Sequence, residues 1–423
     1  MMRQVVFRNK SALTKLQAMV LVAVVLGATI IGVAYYYYVF QRGPTAPVVK
    51  EVVIGNLIPL TGGYAYLGDI VCKGIELAVK EINQQGGIKS LGGAKIRLVT
   101  YDAGSTAAEA TSAFRRMLAM YPEMCALLQA WPSGYVIAVS EIAEREGIPL
   151  LCTAWADSIT QRGFKYVFRF CPNSTTINKM SIPLLIKAAE SVGVKVTKMG
   201  FAYDDNPATI GLINSLKEIC KTLNLELVFD ETWTAPLRDA TPIVLKLKES
   251  KPDLLFIYAI SSGDVLLILG KMREMGIKIP TVGYGGYFTT PQFLETTEPA
   301  IREGLIVITD WNLMKGQEEF ERKYLSEYGG TFVPKDAAMM YAVTWALKEA
   351  IERAASTDPK KIRDALANID ITSGPATILY GRIRFKPNGD LETAFPLVAQ
   401  WQGNKLVTVY PTQYATGTLI WPK

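Results

Sequence analysis

The chain has 423 residues, 49% of them hydrophobic and 20% charged, which is long enough and apolar enough for two or three buried cores. It contains no histidine, which excludes a Ser-His-Asp or Cys-His relay, a His-ligated zinc site and a histidine general base. The formal charge of +6 belongs to the N-terminus: residues 1–50 hold six cations and no acid, the other 373 carry 39 of each sign, and no nucleic-acid partner is expected.

The first element is Leu16–Gln41, 26 residues without a charge. About 20 such residues in a helix span a bilayer core. Four cations precede the run, which predicts a cytoplasmic N-terminus, and Tyr35–Tyr38 lie at the far end, where an aromatic belt belongs. A cleaved signal peptide is the competing reading, with Gly32-x-Ala34 as the processing site, but the run exceeds the usual apolar region of about 7–15 residues. A retained anchor is expected over residues 1–41, then a tether over residues 42–51 containing Pro44 and Pro47. No later segment is as long and apolar, so the rest of the chain is expected outside the cell membrane.

Beyond the tether, short β-rich runs alternate with helical patterns. Val52–Ile58 predicts a strand, and a helix from Asp69 carries Ile75, Ala78, Val79 and Ile82 on one face. Ile96–Asp102 predicts the next strand, followed by a helix after Ser105. Cys125–Trp131 predicts a third strand, and Ser133-Gly134 opens another helix. Leu150–Thr153, Met199–Tyr203, Glu226–Asp230, Leu254–Ile260, Thr281–Tyr284 and Gly304–Thr309 continue the series. About ten strands separated by helices imply an α/β fold of two doubly wound parallel sheets rather than one. Five cysteines are an odd number without a CxxC pair; small buried residues are expected, with no readable pairing.

The motifs of phosphate-binding and nucleophilic enzymes are missing: there is no P-loop, no G-x-G-x-x-G and no G-x-S-x-G. No cofactor, metal or catalytic residue is expected. Strand ends that open into helix N-termini are present, and in parallel α/β sheets ligands bind there. The sharpest is Trp131-Pro132-Ser133-Gly134, where Ser133 either caps its helix or turns its hydroxyl to a ligand carboxylate.

Four segments carry a resemblance. They are Ile54-Gly55-Asn56-Leu57-Ile58-Pro59-Leu60-Thr61-Gly62 with Gly74–Asn83, Thr100-Tyr101-Asp102, Ile142–Leu150, and Gly381-Arg382-Ile383-Arg384-Phe385 with Asn388-Gly389-Asp390. In this order they resemble the branched-chain amino-acid type substrate-binding proteins of ABC uptake systems, over residues 52 to about 411. The resemblance implies the type I periplasmic-binding-protein fold: two lobes joined by three crossings, near Pro172, Asp310 and Arg384. Residues 52–172 and 311–384 would form the first lobe, and 173–310 and 385–423 the second. It also implies an extracytoplasmic receptor, not an enzyme, that delivers a small polar solute to ABC permease subunits by lobe closure. A sensory ectodomain on the same fold is the alternative, and a tethered α/β enzyme a more distant one.

The family's binding positions carry over unevenly. Ser133, with Gly134 beside it, matches the serine that holds the ligand carboxylate, and Ala154 matches a residue acting through its backbone. A threonine is replaced by Ala156, an aromatic by Ser261, and the acid that holds an ammonium by Gly285. The aromatic expected to close the first loop is Leu67, flanked by Tyr64 and Tyr66. Tyr64, Tyr66, Trp131, Tyr203, Tyr284 and Tyr287 are therefore candidates for an aromatic-lined cleft. The carboxylate-binding half is expected to be retained and the ammonium-binding half lost. Asp157, Asp204 and Asp205 are possible substitutes, and the ligand class is a small carboxylate, amide, aromatic acid or amino acid.

Overall fold

The structure is a computed structural model that describes residues 14–40, 50–259, 261–284 and 286–421. It divides into two compact units, residues 1–49 and 50–423. The first contains α1 (Lys15–Phe40), whose apolar stretch Lys15–Tyr38 is long enough to cross a membrane. Every backbone group inside such a helix is paired along the helix, and the Thr29 hydroxyl donates to the Val25 carbonyl at 2.6 Å, so its one central polar side chain is also satisfied.

The second unit holds two sheets. Strands β1 (Glu51–Ile58), β2 (Lys95–Asp102), β3 (Ala126–Leu128), β4 (Leu150–Cys152) and β5 (Val167–Arg169) form the first, all parallel, in the order β2-β1-β3-β4-β5. Helices α2 (Ala65–Gln84), α3 (Ala107–Met120) and α4 (Ser133–Glu146) connect them. A capping box between Thr106 and Glu109 starts α3, and Gly147, in the left-handed region at φ 70°, ends α4. Val53 and Leu57 of β1 pack with Phe114 and Val136 on the α3–α4 side.

The chain then runs through α5 (Ser174–Glu190), β6 (Lys198–Asp204), α6 (Pro207–Thr222), β7 (Glu226–Trp233), α7 (Thr241–Ser250), β8 (Leu254–Tyr258), α8 (Ser262–Glu274) and β9 (Thr281–Tyr284). Two short helices, α9 (Pro291–Thr296) and α10 (Pro299–Arg302), lead to β10 (Ile306–Thr309). After α11 (Glu318–Tyr328), α12 (Lys335–Ala354) and α13 (Pro359–Ala367), the chain returns as β11 (Leu397–Gln402) and β12 (Lys405–Tyr410). The second sheet has the order β12-β11-β10-β9-β8-β6-β7. It is parallel from β10 to β7, and β11 and β12 add antiparallel neighbours at one edge. Helices cover both faces, which explains the unbroken apolar run of β8: Leu254 and Phe256 enter one core, Leu255 and Ile257 the other.

Helix α12 packs on α2 of the first lobe. A Cβ on Gly74 would lie 2.0 Å from the Ala337 carbonyl oxygen, so only glycine permits this approach. The Tyr341 hydroxyl donates to Glu81 at 2.6 Å, and the Glu352 carboxylate accepts the Lys89 and Ser90 amides at 2.8 Å each.

The structure differs from the sequence expectation in detail. Strands β5, β11 and β12 were not anticipated, because β5 is three residues long and the last two are antiparallel. The helix expected from Asp69 begins at Ala65, and the strand expected over Cys125–Trp131 pairs only over Ala126–Leu128. The crossing expected near Arg384 lies further on. Arg169 donates its amide to the Gly389 carbonyl and accepts from the Leu391 amide, so residues 385–391 sit against β5 and not in the second sheet. All five cysteines are free and buried. Burial pushes the thiols of Cys72, Cys152 and Cys220 up to about 11 and that of Cys125 to about 12, so at neutral pH all four remain thiols.

A candidate ligand-binding cleft

Because β1–β5 run parallel in the first sheet and β6–β10 in the second, the carboxyl ends of each set share one edge. Loops from these edges of both sheets enclose a cleft of about 410 Å³, the size range of small-molecule sites. The first lobe contributes Tyr64, Leu67, Trp131, Ser133, Thr153, Ala154 and Trp155. The second contributes Tyr258, Ala259, Ser262, Tyr284 and the turn Gly286–Phe288 with Thr290 and Gln292. Lys335 and Asp336, at the start of α12, complete the lining.

Ser133 is the first residue of α4, and Pro132 precedes it in extended backbone. Its Oγ accepts the Ala156 amide at 3.3 Å, which ties the β3–α4 turn to the segment after β4. This segment is held from below by Arg169, wholly buried, which donates to the Ala156 carbonyl at 2.7 Å and the Trp155 carbonyl at 3.2 Å. Arg169 also pairs with Asp390 at 2.6 Å. The first-lobe wall thus presents a hydroxyl and a helix N-terminus, both suited to a carboxylate.

Trp131 stacks edge-on against Tyr64 with ring centroids 5.7 Å apart, and its Nε1 donates to Asp336 at 3.2 Å. Trp155 stands edge-on against Tyr284 of the second lobe at 5.9 Å, and its Nε1 donates to Asp310 at 2.7 Å. Lys335 lies over the Trp155 ring at 5.4 Å and pairs with Asp310 at 3.0 Å. Burial disfavours the Lys335 cation, but Asp310 and Asp336 outweigh it and hold its pKa above the ordinary lysine range. Asp336 moves the other way from a usual paired acid: burial raises its pKa, and the attraction of Lys335 only partly offsets this.

The second-lobe wall is aromatic. Tyr258 and Tyr284 stand edge-on at 5.9 Å, and the Tyr284 hydroxyl donates to Asn178 of α5 at 2.6 Å. Burial raises the pKa of both phenols, so both are neutral donors at physiological pH.

Of the residues singled out from sequence, Tyr64, Leu67, Trp131, Ser133, Ala154, Tyr284 and Tyr287 line the cleft. Ala156 contributes its backbone amide behind Ser133 and does not reach the lining. Gly134 is exposed one residue further along α4. Tyr66 is not in the lining; burial and Glu295 of the second lobe push its phenol up to about 12. Tyr203 does not line the cleft: its hydroxyl accepts from Lys217 of α6 at 2.8 Å, and its ring joins the second-lobe core. Ser261 precedes α8 without capping it through its side chain, and the lining residue of that turn is Ser262. Gly285 lies outside the described residues. Asp157 is committed to Thr175 at the start of α5, and Asp205 accepts from Thr234. Trp155, Tyr258, Lys335 and Asp336 line the cleft without having been singled out from sequence. The signal available was their position: Trp155 follows β4, next to Ala154, and Lys335-Asp336 opens α12, the helix that crosses back.

Two parallel-sheet lobes with an apolar cleft at their carboxyl strand ends define a two-lobed solute-binding protein of the type I periplasmic-binding fold. The chain belongs to the periplasmic binding protein family, whose model matches residues 51–419. It is 30% identical over 413 residues to Leu/Ile/Val-binding protein homolog 8 of Brucella melitensis, covering 94% of this chain and 98% of that one. Among solved structures, it superposes with a TM-score of 0.69 on the branched-chain amino acid transporter substrate-binding protein LivJ from Streptococcus pneumoniae, in complex with isoleucine. That pair is 24% identical and covers 84% of this chain and 98% of the other. It superposes at 0.66 on the R. palustris solute-binding protein in complex with benzoate, 20% identical, covering 88% and 98%.

Proposed function

We propose that the chain is the extracytoplasmic receptor of an ABC importer, and that it captures a small amphipathic carboxylate between its lobes. The observation that carries this reading is the chemical division of one 410 Å³ cleft: Ser133 and the start of α4 on one wall, Tyr258, Tyr284 and Tyr287 on the other. A solute whose carboxylate meets Ser133 turns its apolar end toward the second lobe. Burial of that end then favours the closed arrangement, and the closed form docks on permease subunits. The relatives' printed descriptions, Leu/Ile/Val binding and complexes with isoleucine and benzoate, agree with such a solute class. The mechanism requires no histidine, and the chain has none.

In this reading α1 is a retained anchor, with the N-terminus cytoplasmic and residues 50–423 outside. One lobe is residues 51–169 with 318–391, and the other residues 198–310 with 397–421. The test is calorimetric titration of the full chain in detergent with branched aliphatic and aromatic carboxylates, with and without an α-amino group. A ligand at 100 times its Kd adds about 2.7 kcal/mol of stability, so a thermal shift provides the parallel readout. Absence of binding by every carboxylate in both series removes the reading. Protease accessibility of the lobes from outside intact cells tests the topology.

A further inference from the structure

Resting on the carboxylate-receptor reading, we infer that Asp336 anchors a cationic ammonium of the ligand, in place of the acid that Gly285 cannot supply. Asp336 is the only carboxylate in the cleft lining among the described residues, and it is 6% exposed. The charge around it is not balanced. Lys335 sits closer to Asp310, at 3.0 Å, than to Asp336, at 3.4 Å, so one cation serves two buried anions. The neighbouring Arg169 is matched by its own partner, Asp390. The hydrogen bonds to Asp336, from Trp131 Nε1 and Lys335 Nζ, both fall on Oδ1. Oδ2 has no hydrogen-bond partner among the described residues, on a side chain that borders the cleft.

The surroundings suit an ammonium. Trp131, Tyr64 and Trp155 line the same wall, and aromatic faces attract a desolvated cation. Trp131 precedes Ser133 by two residues, so the indole that orients Asp336 and the hydroxyl assigned to the carboxylate belong to one rigid turn. A ligand ammonium here completes the charge of the Lys335–Asp310–Asp336 cluster, whereas a ligand without one leaves Asp336 buried and under-compensated. Asp204, at the end of β6, is close enough to Tyr258 to raise its pKa but does not line the cleft. The solute is accordingly an apolar α-amino acid and not a simple aromatic or aliphatic acid.

The experiment titrates the full chain in detergent with leucine and phenylalanine, and with 4-methylpentanoate and 3-phenylpropanoate, which have the same skeletons without the amine. Wild type is expected to bind the better amino acid at least about thirtyfold more tightly than its deaminated counterpart. Asp336→Asn is expected to remove most of that difference, by weakening the amino acid and sparing the acid. Asp336→Glu retains the anion and should retain the preference. Equal binding of amino acid and acid by wild type overturns the assignment while leaving the carboxylate receptor standing. An undiminished preference in folded Asp336→Asn also overturns it, and if that variant does not fold, loss of preference in Asp336→Glu together with unchanged acid binding does the same. Failure of all four compounds to bind wild type removes the receptor reading itself, and the assignment with it.

Discussion

The two walls of the cleft are built on the same kind of strand edge and differ in almost every other respect. The first-lobe wall sets its own rings, Tyr64, Trp131 and Trp155, beside a braced polar segment: Ser133 is tied to Ala156, Ala156 to Arg169, and Arg169 to Asp390. The second-lobe wall is a set of rings that touch edge-on, Tyr258 on Tyr284 and Tyr287 on Phe288 at 6.0 Å, with few directional bonds into the cleft. A directional wall fixes the polar head of a solute, and an apolar wall gains from any tail that removes it from water. Recognition is therefore expected to reside in the first lobe, and closure in the second.

The strongest way to break this contrast is to remove the brace. Arg169→Met leaves Asp390 buried without its cation and is expected to cost about 3–5 kcal/mol in urea denaturation. The matched change in the second lobe, Lys217→Met, breaks a pair whose Asp230 is 40% exposed and is expected to cost about 1 kcal/mol or less. Equal losses would show that the two lobes are braced alike. Ser133→Ala comes next, with a loss of about 1–3 kcal/mol in carboxylate affinity and little change in melting. A melting loss without an affinity loss would reduce Ser133 to its bond with Ala156. Tyr284→Phe removes the donor to Asn178 and is expected to cost about 1 kcal/mol of stability, with the affinity nearly unchanged, because the ring remains.

The smallest effect is one of pH, at the loop that carries Tyr64 into the cleft. Asp102 accepts the Leu60 and Gly104 amides at 2.8 Å each and the Thr61 hydroxyl at 2.6 Å. Burial raises its pKa, but these bonds together outweigh it and leave the carboxyl below the ordinary aspartate value. A depressed folded pKa means that the stabilisation is present in full above about pH 4 and is lost as pH falls through the folded value. The protection factors of the Leu60 and Gly104 amides, with the intrinsic pH dependence of exchange divided out, should fall in acid in the wild type. In Asp102→Asn that acid dependence should disappear.

Much of the fold was legible because parallel strands covered on both faces must be apolar throughout. Val52–Ile58, Leu254–Tyr258 and Ile306–Thr309 declare themselves in this way. Three-residue β5 and the antiparallel β11–β12 pair do not, since their pairing depends on partners far along the chain. The same distinction holds in the cleft. Ser133 was legible from the strand–turn–helix around it, all within a few residues. Tyr203 was misread because an aromatic at a strand end faces either the cleft or a helix, and only the position of Lys217 on α6 settles which. Trp155 gave no local sign of bridging to Tyr284 or of donating to Asp310, 155 residues further along.

Composition and local pattern alone established the apolar N-terminal helix, the absence of histidine chemistry, the α/β class and the turn that holds Ser133, because each depends on neighbours in the chain. Tertiary packing decided where the third crossing lies, which rings face the cleft, and that Lys335 and Asp336 stand in it beside Asp310. Those outcomes turn on charges and close approaches between residues hundreds apart: Gly74 admits α12, α12 presents Asp336, and Trp131 donates to it across 205 residues. An unbalanced buried charge exists only once the chain has folded around it.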